Sequence, residues 1–348
     1  MAELNMLSLK KLLREGTVSG TFFVYGSEAF LKRRACELIG EQCMPDEFPE
    51  FNYEKLDGQR CGVDAVITAL GQFPQFTDKR YVIVDDFSFS GVSDDDINYI
   101  CEYIEKPTEG CTTVFRYMAE GSHNDGGFRK VCECCKKFGY TMKLETPDRN
   151  GLCDILCEEA EITGARLKPS DALYLVDRCG NNLSALVGEL SKLAAFAGRK
   201  NITREMIDTL CSASLESKVF NISKAILRGR ADEAFRLTEN LLLQRTAPNE
   251  IISIMSGEFV DLYRAKAAKA AGESSAQVAK AFEANYKGKG FRVDNAFRDC
   301  GNYSQALLAK YIRLINRTAV DLNSSKTDKN IRLEQLISEL CLAGRELR

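Results

Sequence analysis

Strand and helix signals alternate from Thr21 to Leu144, and this alternation constrains the fold more than any other feature of the sequence. Runs of β-branched and aromatic residues predict five strands, at residues 21–25, 51–56, 81–84, 112–117 and 140–144. Strands that alternate with helices form a mostly parallel, doubly wound sheet. After Thr146 the strand signals stop and helical segments follow. We therefore predict an α/β domain followed by all-α domains.

The length of 348 residues is enough for two or three domains, each with its own hydrophobic core. We place the predicted boundaries where the sequence changes character. Residues 1–145 would form the α/β domain, residues 146–212 a small helical lid, and residues 213–348 a helical domain. The segment Ser212–Ser217 is a plausible linker between the last two.

The first strand runs directly into Gly26, Ser27 and Glu28, which open a helix. A nucleotide-binding fold has its phosphate loop at this point. The motif Gly-x-x-x-x-Gly-Lys-Ser/Thr is absent from the sequence, and the carboxylate of Glu28 would repel a phosphate. Asp85 and Asp86 follow a later strand, where a turn and helix-capping role is favoured over magnesium binding. We expect no cofactor and no intrinsic catalytic activity, with an ATPase that uses an unrecognised site as the rival interpretation.

The 14 cysteines are best interpreted as reduced thiols, because the chain is long and shows no signal peptide. Cys132, Cys135, Cys153 and Cys157 imitate the spacing of a zinc site, but their apolar neighbours favour packing in the core. The one histidine, His123, is a poor basis for acid–base or metal chemistry. We therefore predict no metal site. No apolar run approaches the roughly 18 residues of a membrane helix, so we expect no membrane contact and a cytoplasmic location.

A short connection between an apolar helix and the strand that starts at Tyr81 carries two phenylalanines. We call residues 73–79 of this connection the knuckle; it reads Phe73-Pro74-Gln75-Phe76-Thr77-Asp78-Lys79. Pro74 ends the helix because it disfavours helical dihedrals at Phe73. Turns in solvent rarely contain two large aromatic side chains. Either the knuckle folds back into the core, or it anchors another protein.

Basic residues are spread through the C-terminal helical region, including Lys287, Lys289 and Arg292. A solvated face is the favoured interpretation, and a patch that contacts DNA phosphates is the alternative. The net charge of -3 gives the whole chain no general attraction to nucleic acid. A contact with DNA would therefore have to be local.

Several segments, taken in order, resemble the delta subunits of bacterial DNA polymerase III. Phe23–Leu31 is similar to that family's opening motif, tyrosine/leucine-x-Gly-x-Glu-x-phenylalanine-leucine, and residues 73–84 resemble its proline–phenylalanine knuckle and following strand. Residues 180–194 are similar to its lid helix, and residues 219–226 and 321–326 resemble landmarks of its collar domain. The resemblance extends over nearly the whole chain.

This resemblance implies an AAA+-like fold without a P-loop, a helical lid and a C-terminal collar that oligomerises with related subunits. It implies a clamp-loader subunit that binds the beta sliding clamp and helps to open it for loading onto primed DNA during replication. The implied partners are the beta sliding clamp, the ATPase (gamma/tau) and delta-prime subunits, and primer-template DNA. The implied clamp contacts are Phe73, Pro74, Gln75 and Phe76, supported by Thr77, Asp78 and Lys79.

Two features depart from the family pattern. The chain has no tryptophan, which many relatives carry near the start of the lid, and Gln75 stands where an apolar residue is common. The absence of a Ser-Arg-Cys segment favours delta over the ATPase and stator subunits. A helical DNA-binding protein that works alone and a scaffold unrelated to the clamp are the competing interpretations.

Overall fold

The computed structural model describes residues 3–16, 18–118, 125–198, 200–286, 290–324 and 328–346. The chain separates into two compact units, Met1–Thr146 and Pro147–Arg348. The further division of the second unit into a lid and a collar stays a prediction.

A five-stranded parallel sheet forms the centre of the first unit, with the strand order β2-β3-β4-β1-β5. The strands are β1 (Gly20–Tyr25), β2 (Tyr53–Asp57), β3 (Arg80–Asp85), β4 (Cys111–Arg116) and β5 (Tyr140–Lys143). The helices are α1 (Met6–Arg14), α2 (Ala29–Cys43), α3 (Pro49–Asn52), α4 (Val63–Gly71), α5 (Asp94–Glu105) and α6 (Gly126–Phe138). The predicted parallel sheet is confirmed. The predicted start of the second strand at residue 51 is wrong, because α3 occupies Pro49–Asn52.

Helices cover both faces of this sheet. On one face, Phe23, Val82 and Phe115 belong to a buried cluster that also contains residues of α4, α5 and α6. On the other face, the buried Tyr81 hydroxyl donates a hydrogen bond to the carbonyl of Cys36 in α2. Burial on both faces explains why β1, β3 and β4 read as nearly continuous runs of strand-forming residues, whereas β2, at the edge of the sheet, is more exposed and alternates.

Where it is described, the second unit is helical apart from one pair of two-residue strands, β6 (Arg166–Leu167) and β7 (Asn201–Ile202), which the sequence did not predict. Its first helices are α7 (Arg149–Ile162), α8 (Pro169–Cys179), α9 (Leu183–Ala197) and α10 (Arg204–Leu210). The later helices are α11 (Leu215–Leu227), α12 (Ala231–Leu243), α13 (Pro248–Ala270), α14 (Ser275–Ala281), α15 (Glu283–Tyr286), α16 (Gly290–Asp299), α17 (Gln305–Ser324) and α18 (Lys329–Glu346), with a 3₁₀ turn at Cys300–Asn302.

A core built from α11, α12, α13, α16, α17 and α18 contains the ring of Phe259, which packs edge-on against Tyr311 with ring centroids 5.0 Å apart. Such an arrangement adds to the apolar burial of both rings. Among the described residues, no helix combines the length and apolar character needed to span a membrane.

An acidic residue of α13, Glu258, lies against this core. The hydroxyl of Ser223 donates a hydrogen bond to the Glu258 carboxyl group. Burial raises the pKa of Glu258 to about 8, and Asp261 adds to the rise while Ser223 and Arg292 oppose it. Folding therefore favours the protonated form of this carboxyl group.

The stability of the folded chain should decrease as the pH rises, because of this carboxyl group. Between the ordinary Glu pKa of about 4.3 and a value of about 8, the folded chain keeps a proton that the unfolded chain releases. The stabilisation is thus complete below the unfolded pKa and is lost as pH rises through the folded pKa, at up to about 1.4 kcal/mol per pH unit. In urea unfolding at pH 6, 7 and 8, the free energy of unfolding of a Glu258→Gln variant should increase relative to that of the wild type as the pH rises. Parallel stability curves for the two proteins would contradict the prediction.

Candidate protein-binding site

The knuckle lies at the amino-terminal edge of the sheet, between the end of α4 and the start of β3. Phe73 is 69% exposed and Phe76 is 77% exposed. The interpretation of the knuckle as part of the core is therefore wrong for both rings. Since burying a phenylalanine side chain is worth about 1.5–3 kcal/mol, two exposed rings on one short connection form a surface suited to binding another molecule.

Two further phenylalanines extend this surface. The ring of Phe76 lies 5.7 Å from that of Phe48 and 6.2 Å from that of Phe51, centroid to centroid. Both neighbours are partly exposed, at 43% and 50%. We call Phe48, Phe51 and Phe76 the aromatic patch. Sequence reasoning missed Phe48 and Phe51 because residue 51 was assigned to a strand; the adjacent starts of two parallel strands were the signal that could have found them.

Two residues of the aromatic patch have an unfavourable backbone conformation. Phe76 and Phe48 both have positive φ angles, of 62° and 52°. This left-handed conformation costs a non-glycine residue about 1–2 kcal/mol. It persists only where the surroundings fix the backbone, so the two residues need strong local support.

Asn52 supplies part of that support. Its side chain is fully buried. The Nδ2 group donates to the carbonyls of Gln75 at 2.7 Å and Phe48 at 3.1 Å, and Oδ1 accepts from the Gln75 N–H at 2.7 Å. One buried amide thus joins the backbone of the knuckle to the residue that precedes α3.

Arg80, the first residue of β3, also supports the backbone of the aromatic patch. It is 2% exposed. Its Nη1 donates to the carbonyl of Phe51 at 2.8 Å, and Nη2 donates to Gln72 Oε1 at 2.7 Å and pairs with Glu54. Arg80 therefore ties the residue before the knuckle to the segment that carries Phe51. We did not single out Asn52 or Arg80 from the sequence.

The other predicted residues of the knuckle line an open cleft of about 500 Å³, which Phe73, Pro74, Thr77, Asp78 and Lys79 all border. The ammonium group of Lys79 donates to the carbonyl of Gln42 at 3.4 Å. The structure thus brings Phe73 and Pro74 together with all three predicted supporting residues. Gln75 is exposed at the tip, and its backbone makes the bonds to Asn52 described above.

The opposite edge of the sheet holds the turn where a phosphate loop would lie. Glu28 caps α2, since its carboxylate accepts the N–H of Phe30 at 3.1 Å. Lys32 is fully buried and donates to the carbonyls of Gly26 at 2.7 Å and Met118 at 3.2 Å. A carboxylate already holds an N–H at the helix N-terminus where an anion would bind.

The acidic pair after β3 is engaged within the protein. Asp85 accepts two hydrogen bonds from the guanidinium group of Arg116, at 2.6 and 2.7 Å. Asp86 accepts the N–H of Met118 at 2.7 Å. The predicted helix-capping role is wrong, because Ser93 caps α5. The pair instead joins β3 to β4 and the residues that follow β4.

The remaining sequence candidates lie in the core, in an ion pair or outside the described residues. Cys132 and Cys135 are buried in the core of the first unit. Arg292 forms an ion pair with Asp261, with a nitrogen–oxygen distance of 2.7 Å, so part of its charge is already balanced. Lys287 and Lys289, like His123, lie outside the described residues.

Comparisons with known proteins agree with one another. The family model "DNA polymerase III, delta subunit" matches residues 22–124, and "DNA polymerase III delta subunit, C-terminal domain" matches residues 216–340. DNA polymerase III subunit delta of Bacillus subtilis (strain 168) is 24% identical over 337 residues, which cover 95% of each chain.

A solved structure, the Bacillus subtilis DNA clamp loader delta protein, superposes with a TM-score of 0.66 and 22% identity. The match covers 97% of this chain and 99% of that one. This likeness confirms the predicted fold class, a parallel sheet with helices on both faces followed by a helical C-terminal region.

Proposed function

Because this chain belongs to the family of DNA polymerase III delta subunits, we propose that it is the clamp-loader subunit that grips the beta sliding clamp through the knuckle and the aromatic patch. The observation that carries the proposal is the outward orientation of Phe73 and Phe76 on a backbone tied down by Asn52 and Arg80. Mixing the purified chain with a bacterial sliding clamp in analytical ultracentrifugation tests it. If no complex forms at about 10 μM of each protein, the dissociation constant is weaker than micromolar. That result would reject the proposal.

In this proposal the chain helps to open the clamp because its knuckle is rigid, and not because it hydrolyses nucleotide. A ligand shifts an equilibrium by as much as its affinities for the two states differ. A knuckle fixed by buried hydrogen bonds loses little conformational freedom when it binds. If it fits the open clamp better than the closed one, binding alone favours opening. Nucleotide hydrolysis then belongs to partner subunits, which would expose or cover the knuckle.

We expect ATP to leave this chain unaffected. A ligand that binds the folded state raises the melting temperature in proportion to RT ln(1 + [L]/Kd). Since the Glu28 carboxylate holds the N–H of Phe30, saturating Mg-ATP should not change the melting temperature. A rise that increases with ATP concentration would restore the ATPase interpretation.

Contact with primer-template DNA is proposed for Lys287 and Lys289, with Arg292 in a lesser role because of its pair with Asp261. Changing both lysines to Glu should weaken DNA binding by the assembled loader and reduce the slope of log K against log salt by about 2. A Lys11→Glu variant, on an exposed face of the first unit, is the matched control. An unchanged slope would leave the solvated-face interpretation standing.

The same family membership supports the other partners. We propose assembly with ATPase (gamma/tau) and delta-prime subunits through the helices from α11 onward, and a cytoplasmic location at the replisome. The segment 213–348 would then be the collar.

A further inference from the structure

Three potential metal ligands meet in the second unit, far apart in sequence. Cys179 is the last residue of α8, Glu189 lies in α9, and Cys211 directly follows α10. The two sulfur atoms and a carboxylate oxygen all lie within 4.8 Å of one another. Two ligands lie in different helices and the third directly follows another helix, so a bound ion would join three elements.

Hydrogen bonds of neighbouring residues hold the helix ends that carry the two cysteines close together. Arg178 Nε donates to the carbonyl of Cys211 at 3.1 Å, and its Nη2 donates to the carbonyl of Asp208 at 3.1 Å. The N–H of Ser214 donates to the carbonyl of Arg178 at 2.8 Å. These bonds fix the end of α10 against the end of α8, so the cysteines are brought together by the backbone. Support of this kind is typical of metal sites.

We propose that Cys179, Glu189 and Cys211 bind one Zn²⁺ ion. Two thiolates and a carboxylate form a soft, anionic ligand set that favours zinc over magnesium or calcium. Zinc with three protein ligands keeps its fourth tetrahedral position for water. Zinc–sulfur bonds of about 2.3 Å put the ligand atoms of a tetrahedral site roughly 3.5–4 Å apart, so small side-chain rotations would bring these three into place.

The charge around the cluster suits a bound dication. Zn²⁺ with two thiolates and one carboxylate carries a net charge of about −1. Lys192 Nζ lies 2.7 Å from Glu189 Oε2, and the Lys192 side chain is 46% exposed. The lysine can move toward solvent when the ion takes the carboxylate and still offset the remaining negative charge.

This site is independent of the proposed clamp binding. The prediction of no metal rested on Cys132, Cys135, Cys153 and Cys157, and no local spacing motif marks the cluster of Cys179, Glu189 and Cys211. Its ligands are separated by 9 and 21 intervening residues, unlike the short Cys-x-x-Cys pairs by which zinc sites are recognised from sequence.

Cobalt and zinc titrations of the full chain test the site. The protein is stripped with a chelator, kept under a thiol-free reductant, and titrated with Co²⁺ and then Zn²⁺. We expect one equivalent of Co²⁺ to produce thiolate-to-cobalt charge-transfer absorption that Zn²⁺ displaces. Zn²⁺ should also raise the melting temperature of the wild type, since binding to the folded state stabilises it.

The absorption and the temperature shift should both disappear in Cys179→Ser and Cys211→Ser. In Glu189→Gln the absorption should persist with weaker binding. Cys157→Ser, in the same unit, and Cys61→Ser are matched controls that should behave as the wild type. Circular dichroism of the metal-free variants verifies that each is folded. Absence of cobalt binding by the wild type, or binding retained in the double variant Cys179→Ser/Cys211→Ser, would overturn the proposal. Binding lost in Cys157→Ser would assign the ion to another pair of cysteines and overturn it equally.

Discussion

Replacing Phe73 and Phe76 together by alanine should reduce binding to the sliding clamp below detection while the chain stays folded. Each buried phenylalanine contributes about 1.5–3 kcal/mol, and exposed aromatic anchors commonly dominate the binding energy of an interface. Phe76→Ala alone should cost more than about 1 kcal/mol of binding free energy. The rings are 69% and 77% exposed in the free chain, so their removal leaves no cavity.

Binding isotherms of the single and double variants against the clamp measure the effect, with urea unfolding as the test of folding. Phe138→Ala is a matched control, because Phe138 is another exposed phenylalanine of the first unit, at 42%. It should bind as the wild type does. Wild-type affinity in a well-folded Phe73→Ala/Phe76→Ala variant would refute the proposed function. Phe51→Ala, from the aromatic patch, should give a smaller loss.

The architecture of the first unit was predictable from the sequence because β1, β3 and β4 are buried on both faces. Continuous apolar runs such as Thr21–Tyr25 identify such strands regardless of context. The error at the second strand has a local cause. Phe51 and Tyr53 read as alternating strand residues, yet Pro49 suits the first turn of a helix, and α3 ends only at Asn52.

The candidate site was only half predictable for a different reason. Two phenylalanines beside a proline are enough to identify the knuckle from the sequence alone. The residues that support it, Asn52 and Arg80, act through bonds to backbone atoms 23 and 29 positions away. Such bonds depend on which strands are neighbours and where each begins, and no local pattern encodes that. The cluster of Cys179, Glu189 and Cys211 escaped the sequence for the same reason.

Substituting alanine for Gly110 should destabilise the chain and weaken clamp binding together. Gly110 precedes β4 with a φ of 75°, and a Cβ atom there would lie 2.3 Å from the carbonyl oxygen of Asp78 and 3.1 Å from Pro74 Cγ. The left-handed conformation alone costs alanine about 1–2 kcal/mol. Because the collision is with the backbone of the knuckle, we expect a total loss of roughly 3 kcal/mol or more of unfolding free energy.

A Gly91→Ala variant separates the cost of the left-handed conformation from the cost of the collision with the knuckle. Gly91 has a similar φ of 81°, but no atom lies within 4 Å of the position its Cβ would take. That variant should lose only the conformational part of the stability and should bind the clamp normally. Urea unfolding and clamp-binding isotherms of both variants give the comparison. If Gly110→Ala matched Gly91→Ala in both measurements, the knuckle would be able to shift without cost, and the role of a rigid backbone in clamp opening would have to be abandoned. If instead Gly110→Ala alone loses clamp affinity while it remains folded, the position of the knuckle, and not merely the presence of its two rings, determines binding.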